Sequence, residues 1–547
     1  MTLKIKIILI AILFLATFLR FWQIDKYPAG FNADEAAYGY NAYSLIQTGK
    51  DEFGTSWPVH LKSFADYKPG GTTYIVMPFV KVLGLNEFAV RLPSLLAGVF
   101  SVFLIFLLVQ EMFGIYPLAL LTALFLAIFP WHIHFSRGAW ETNLATTFLL
   151  LGTYAFLKGL QKPKLFVLSI ISYAASMYTY HTPRVVIPLL GLFLIASYRK
   201  AILNNLRMRL IAGVIGFIVM LPFIFSFFGP AVSARFSGVS VFSDVGPVWQ
   251  INRGRGEHVN PNSLIAKTIH NKPFVYATRI GENWLSHFNG TFLFVIGDQI
   301  KRSNVPDMGE MYLFDFIFVM AGLYFLIKNR PKHYLVVFVW LLVAPVAASL
   351  TFQSPNALRA HNMIIPLVII SAYGFYNLIL LLKKNLSRRI YLFCIAFTAL
   401  IISWNVAYFI HQYFVHYPKA YPEAWEYGIS DLVDYLKPIH NNYNKVYVTE
   451  KYDQPYIIFL FYLKYPPAQF QKEAVLTARD KFGFSTVRDF SNFHFENINW
   501  DNLKVQKDVL ICGTDEEIPS NVNVIHTINF RNGQPAFQCA LTYWPKS

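Results

Sequence analysis

Long apolar runs separated by short polar breaks dominate the chain as far as about residue 411. They lie near 4–22, 93–111, 115–131, 141–159, 164–181, 184–198, 210–229, 310–328, 333–351, 362–382 and 390–411. Most are about twenty residues long, the length a helix needs to cross a hydrocarbon core, so about eleven transmembrane helices are expected. The pair 164–198 reads equally as a hairpin that does not fully cross. A shorter apolar run, Thr72–Leu85, contains Pro78 and is too short to span, so it is expected to lie along the interface. From about Tyr421 the pattern changes to that of a soluble α/β domain. Helices are expected at Glu423–Leu436 and Pro455–Lys464, and strands at Lys445–Glu450, Asp508–Cys512, Val522–Phe530 and Ala536–Tyr543. The expected fold is a polytopic α-helical membrane protein, residues 1–412 with loops 23–92 and 230–309, followed by a small α/β domain, 413–547.

Charge orients the spans. The connections Lys158–Lys164, Tyr198–Arg209, Lys328–His333 and Lys383–Arg389 are short and basic, which marks them as cytoplasmic. The alternate connections, which include both long loops and everything after His411, then lie outside. Met1–Trp22 has early lysines and an apolar run, but no small-x-small cleavage site follows; an uncleaved first span with a cytoplasmic N-terminus is expected. The expected location is the plasma membrane, multi-pass, with the C-terminal domain extracytoplasmic.

Composition agrees with a lipid-embedded chain: 55 % of residues are hydrophobic, 17 % aromatic and 14 % charged, against about 25 % charged in soluble proteins. The net charge of +16 fits cytoplasmic loops and a phosphate-bearing ligand. Its scatter between apolar runs argues against nucleic acid. Three cysteines are too few for a disulfide scaffold. Cys512 and Cys539, in separate strands on the oxidising side, allow one bridge or remain buried thiols.

Candidate chemistry begins at Phe31–Gly54, FNADEAAYGYNAYSLIQTGKDEFG, just after the first span. On a helix Asp34, Tyr38, Asn41 and Leu45 share one face, while Glu35 turns about 100° away. Acids at a helix start ordinarily serve as caps and dipole partners. Other charges, however, gather at the outer ends of the spans: Arg137 and Glu141 in HFSRGAWETN, Arg184 in HTPR, Arg359 and His361 in SPNALRAHN, and Lys68 in the first loop. Singly such arginines are interfacial anchors. Together they would line a polar cavity suited to transferring a group away from a phosphate, with cations for the leaving oxygen and a carboxylate for the acceptor's proton. Tyr38, Tyr67 and His361 are the candidate substrate contacts beside them. A divalent metal is possible but not indicated, since His132-x-His134 has few acids near it.

The runs RFWQIDKYPAGFNADEAAYGYNAYSLIQTGKDEFG, YKPGGTTYIVMPFVKVLGLNEFAVRLPS, PWHIHFSRGAWETN and NALRAHNMIIPL resemble, in that order, lipid-carrier-dependent glycosyltransferases of the GT-C superfamily. That superfamily includes protein O-mannosyltransferases and the aminoarabinose transferase of lipid A. The resemblance implies a catalytic acid at Asp34 with Glu35 beside it. It also implies an acid near a sugar at Glu141, a phosphate-binding lysine at Lys68, and looser phosphate contacts from Arg137, Arg184 and Arg359. The expected activity is inverting transfer of a sugar from a polyprenyl-phosphate donor to a protein, lipid or glycan acceptor, with no certain cofactor. The partners would be membrane lipid and the lipid-linked donor. A transporter or flippase is the alternative; such proteins favour internal repeats and midplane charges, and neither is seen.

Overall fold

The computed structural model describes residues 1–64, 66–203, 206–226, 240–478 and 485–542. Helices occupy all eleven expected segments: Leu3–Phe21, Glu87–Phe113, Tyr116–Ile128, Glu141–Gly159, Leu165–Thr179, Pro183–Leu203, Leu206–Ser226, Asp315–Asn329, Tyr334–Val343, Ile364–Asn385 and Arg388–His411. Among the described residues five helical stretches are long and apolar enough to cross a membrane, or six if one bent pair counts as a span. The bend is 59°, between Tyr116–Ile128 and Pro130–Ser136. Phe129 supplies it: preceding a proline, it takes an extended conformation (φ −68°, ψ 122°). The count falls below eleven partly because Leu165–Thr179 and Tyr334–Ser349 are short, and because Lys4, Lys6 and Arg20 charge the first helix.

The chain divides into two compact units. One comprises Met1–Arg20, Ala97–Ser136 and Glu141–Ile410; the other comprises Phe21–Leu96, Arg137–Trp140 and His411–Ser547. The tail therefore shares a unit with the first loop rather than standing apart at residue 413. In the first unit Asp315–Asn329 packs on Ile364–Asn385 with almost no space between the backbones. A Cβ on Gly374 would lie 1.9 Å from the Phe318 carbonyl oxygen, so only glycine fits. Arg20, buried, donates to the carbonyls of Ala16, Leu126 and Ala127 and to Ser136. It thereby satisfies carbonyls exposed by the bend at Phe129.

In the second unit two short strands, β1 (His60–Ser63) and β2 (Asp66–Pro69), form an antiparallel hairpin that pairs Leu61 with Lys68. The run after it is the helix Gly71–Leu83, which carries Pro78 internally. The tail holds a seven-stranded sheet of β3 (Lys445–Thr449), β4 (Val475–Leu476), β5 (Val487–Phe490), β6 (Phe493–Glu496), β7 (Val509–Gly513), β8 (Val524–Asn529) and β9 (Pro535–Leu541), in the order β4-β5-β6-β3-β7-β9-β8. β3 runs parallel to both β6 and β7, and the outer pairs are antiparallel. The helix Pro455–Leu463 and the strands at β3, β7, β8 and β9 fall where periodicity put them, within a few residues, whereas the helix expected from Glu423 begins only at Ile429, with Glu423–Trp425 a separate 3-10 turn. Tyr543, the expected end of the last strand, lies outside the described residues, as do 230–239 of the long outer loop. Cys512 and Cys539 face each other across β7 and β9 and are joined by a disulfide.

Candidate functional site

The site-bearing helix runs Ala33–Thr48, and its start is fixed by its own sequence. The Asn32 side chain accepts from the Glu35 amide at 3.1 Å, and the Asn32 amide donates back to Glu35 Oε2 at 3.3 Å, a reciprocal capping box. Gly49 ends the helix in the left-handed conformation at φ 68°. Between these caps one face is small: Ala33, Ala36, Ala37 and Gly39 are buried. A Cβ on Gly39 would stand 2.5 Å from the Phe461 ring and 2.7 Å from Val90. That glycine is what lets the tail helix Pro455–Leu463 lie so close. The hydroxyl of Tyr40 donates to the Tyr465 carbonyl, and Gln471 donates to Ser44, Thr48 and the Asp51 carbonyl.

The two adjacent acids have opposite fates. Glu35 is 2 % exposed and receives four donors: Arg91 Nε and Nη2, both at 2.9 Å, the Ala139 amide at 2.8 Å, and the Asn32 amide. Arg91, equally buried, spends its other N–H groups on the Ile24 and Gly30 carbonyls. This bidentate pair clamps the first loop to the start of the helix Glu87–Phe113. Asp34 instead keeps a third of its side chain exposed and forms an ion pair with Lys68, which is 12 % exposed. The ammonium of Lys68 also lies 4.2 Å from the Phe64 ring centroid and 5.8 Å from that of Tyr38. Tyr67 neighbours Lys68 on β2, and strand alternation sends it to the opposite face.

One carboxyl of this unit was not singled out by its sequence. Glu52 is fully buried and exchanges two hydrogen bonds with Asn41: its amide donates to Asn41 Oδ1 at 2.9 Å, and Asn41 Nδ2 donates to Glu52 Oε1 at 3.2 Å. Tyr456 of the tail directs its hydroxyl at Oε2 from 3.5 Å. Burial, reinforced by the neighbouring Asp51, pushes the Glu52 carboxyl up to about 8, against the pull of Lys68 and its hydrogen bonds. The signal available in the sequence was weak. It was the spacing from Asn41, on the face already shared by Asp34 and Tyr38, to the DE pair beyond Gly49.

Arg137 lies in the same unit, fully buried. It donates to the Trp22 and Tyr27 carbonyls at 2.7 and 3.0 Å, and its guanidinium sits over the rings of Tyr413 and Phe414. The remaining candidates belong to the other unit. Glu141 opens the helix Glu141–Gly159. Arg184 donates to the Met177 carbonyl and His181, and stacks on Phe223. Arg359 donates to Thr351 Oγ1 at 2.8 Å, on a loop fixed by Asp298, whose carboxylate accepts from the Ala357 amide. His361 is buried, with Nδ1 2.9 Å from Thr146 Oγ1. The structure thus brings Asp34, Lys68 and Tyr38 together in one unit and places Glu141, Arg184, Arg359 and His361 in the other. Among the described residues no group of three or more His, Cys, Asp or Glu is placed to hold a metal ion.

Residues 67–225 match the sequence family described as dolichyl-phosphate-mannose-protein mannosyltransferase. No curated protein sequence matches the chain. In structure it is similar to ArnT from Cupriavidus metallidurans in the apo state, with a TM-score of 0.57 at 12 % identity over 99 % of this chain and 98 % of that one. The same protein bound to undecaprenyl phosphate matches with a TM-score of 0.54 at 12 % identity, over 99 % of each chain. AglB from Archaeoglobus fulgidus, in complex with an inhibitory peptide and a dolichol-phosphate, matches with a TM-score of 0.51 at 12 % identity, over 84 % of this chain and 64 % of its own. The chain therefore shares the fold of ArnT and AglB.

Proposed function

We propose that the protein is an integral membrane glycosyltransferase that moves a sugar from a polyprenyl-phosphate donor to an acceptor hydroxyl or amine, inverting the anomeric centre, with Asp34 as general base. The observation that carries this reading is the contrast between the two acids. Glu35 is buried among four donors, whereas Asp34 is partly exposed at a helix N-terminus beside the Lys68 ammonium. In the reaction the acceptor's O–H or N–H proton passes to the Asp34 carboxylate as its heteroatom bonds the anomeric carbon. The bond from that carbon to the phosphate oxygen breaks, and the lipid phosphate leaves with the electron pair. Lys68 meets the charge that develops on that phosphate. A carboxylate paired with an ammonium is a weak base, so the donor's phosphate, by engaging Lys68, also releases Asp34 for the proton. Glu35 and Arg137 hold backbone in place. No step of the mechanism needs Glu141, Arg184, Arg359 or His361.

Support for the donor class comes from the lipid phosphates bound by ArnT and AglB, and from the family matched by residues 67–225. Purified, delipidated enzyme offered acceptor with either a nucleotide sugar or the matching polyprenyl-phosphate sugar is expected to use only the latter. Efficient transfer from the nucleotide sugar would refute the reading. Lys68→Met is expected to raise the donor KM by about tenfold or more, with a smaller change for the acceptor, because a charge-assisted bond of about 1.5–3 kcal/mol is lost.

The site is proposed to face outward, on the strength of the basic short loops. Single cysteines placed at residue 260 and at 515, in the second long loop and the tail, should react with a membrane-impermeant reagent on intact cells. One at 162 should react only after the membrane is opened. The reverse pattern would invert the topology.

A further inference from the structure

We propose that the tail carries a saccharide-binding site, a cavity of about 510 Å³ at the carboxyl edge of its sheet. The inference goes beyond the donor assignment and does not depend on it. β3 runs parallel to β6 and β7, so these three strands end on one edge. After β3 the chain turns to the side of β4, β5 and β6, and after β7 to the side of β8 and β9. The winding of the sheet reverses beside β3, and ligands of open α/β sheets settle outside the carboxyl ends at such a reversal. The cavity lies on that edge. Its walls are the segment Glu450–Pro455 that follows β3, Asn497 after β6, and the facing ends of β4 and β5. Its volume falls within the roughly 300–1,000 Å³ of small-ligand sites.

The walls are held by bonds between elements. The Glu450 amide donates to the Glu496 carbonyl at 3.2 Å, and Asn497 Nδ2 donates to Glu450 Oε1 at 3.2 Å. The Thr486 hydroxyl donates to Gln454 Oε1 at 2.6 Å, and its amide to Thr477 Oγ1 at 3.0 Å. The ring of Tyr452 is packed edge-on against Phe530 and Phe537. A site fixed in this way loses little freedom when it binds. Charge then selects the ligand. Lys451 is the cation among the described residues of the walls, and its ammonium is paired with Glu516 from the turn after β7. Glu450 and Asp453 add two carboxylates, so a phosphate or carboxylate ligand is repelled. The apolar side chains are Ala478, Pro455 and the Tyr452 ring, which suit the C–H face of a small ligand rather than a lipid chain. The remainder are hydroxyls and amides, Thr477, Ser485, Thr486, Gln454 and Asn497. Their match is a ligand with hydroxyls on several sides and no negative charge, which describes a neutral saccharide.

The test measures binding to the purified full-length protein in detergent. The probe is a fluorescently tagged fraction of neutral oligosaccharides released from the envelope of the cell that makes the protein. Wild type is expected to bind it with a Kd that changes by less than about twofold between about 50 and 500 mM salt, because the ligand has no charge to screen. Bound ligand should slow amide exchange at 450–454 by about fivefold or more. Ala478→Trp puts an indole into the cavity from an exposed position and should weaken binding by at least about tenfold. Asn497→Ala, also exposed and outside the strands, removes one amide and should weaken it by about three- to tenfold; it serves if Ala478→Trp does not fold. Lys68→Met should bind as wild type does, which separates this site from the donor's. Undiminished binding by the cavity variants, or its loss in Lys68→Met, would place the ligand elsewhere and overturn the inference. Failure of wild type to bind the neutral fraction would overturn it too. So would preference for the anionic fraction, or for an oligolysine peptide bound in a salt-sensitive way.

Discussion

Turnover of Asp34→Asn is expected to fall by at least about a hundredfold while the protein stays folded. Asparagine keeps the size of the side chain and its preference for a helix start, but it cannot take a proton at neutral pH. The capping box does not involve Asp34: Asn32 and Glu35 make it between them, so the helix keeps its N-terminus. The substitution also leaves Lys68 without its carboxylate partner. With that partner gone the ammonium is freer to meet a phosphate, so donor affinity should hold or improve as turnover collapses. That split between kcat and donor KM separates a lost base from a lost binding group. Near-normal turnover by folded Asp34→Asn would remove Asp34 from the role.

Arg91→Met is expected to destabilise the protein by about 3–5 kcal/mol, more than any substitution at Asp34, because it strands the Glu35 carboxylate without a counter-ion in a buried site. The same change frees the Ile24 and Gly30 carbonyls. Glu35→Gln removes the charge and one half of the pair but leaves an acceptor for the Ala139 amide, so its cost should be smaller. Combined with Arg91→Met it should return part of the lost stability, since no unpaired charge then remains buried. Thermal unfolding in detergent, followed by tryptophan fluorescence, reads all three variants. A double variant as unstable as the sum of the single ones would mean that the pair is not coupled.

Hydropathy located all eleven long apolar segments, each of which is occupied by a helix, because a membrane helix has a length and a composition that few other structures share. It read 230–309 as loop, where the helices Gly246–Gly256 and Lys272–Ser286 lie. It missed the break at Phe129, because both halves of that run are equally apolar and only the residue before Pro130 is forced out of the helix. It also started the second span at 93. The helix in fact begins at Glu87 and carries Pro93 inside, which is how Arg91 comes to sit on a helical turn facing Glu35. The i, i+4 spacing of Glu87 and Arg91 was the available clue. In the tail the expected strands were those with clear apolar runs. β5 and β6, VRDF and FHFE, are four residues each and carry charge, so alternation over so short a stretch gave no signal. At the site, helical geometry separated Asp34 from Glu35 correctly, since a turn of about 100° follows from backbone geometry alone. What filled each face did not follow from it. The partners of Glu35 come from residues 91 and 139, and that of Glu52 from residue 456, contacts that only the fold supplies.

The closeness of Gly39 to Phe461 has a consequence for how the protein is made. Tyr40 and its partner Tyr465 are 425 residues apart. At usual elongation rates the ribosome needs roughly 20–90 s to travel between them. Throughout that interval the small-residue face of the Asp34 helix is without the tail that covers it. The proposed reacting centre is thus among the last parts of the molecule to be assembled, although Asp34 is among the first residues translated. A nascent or prematurely terminated chain can be inserted and helical yet still lack the cover over Gly39 and the Tyr456 hydroxyl at Glu52. Completion of translation thereby becomes a condition for covering the Asp34 helix.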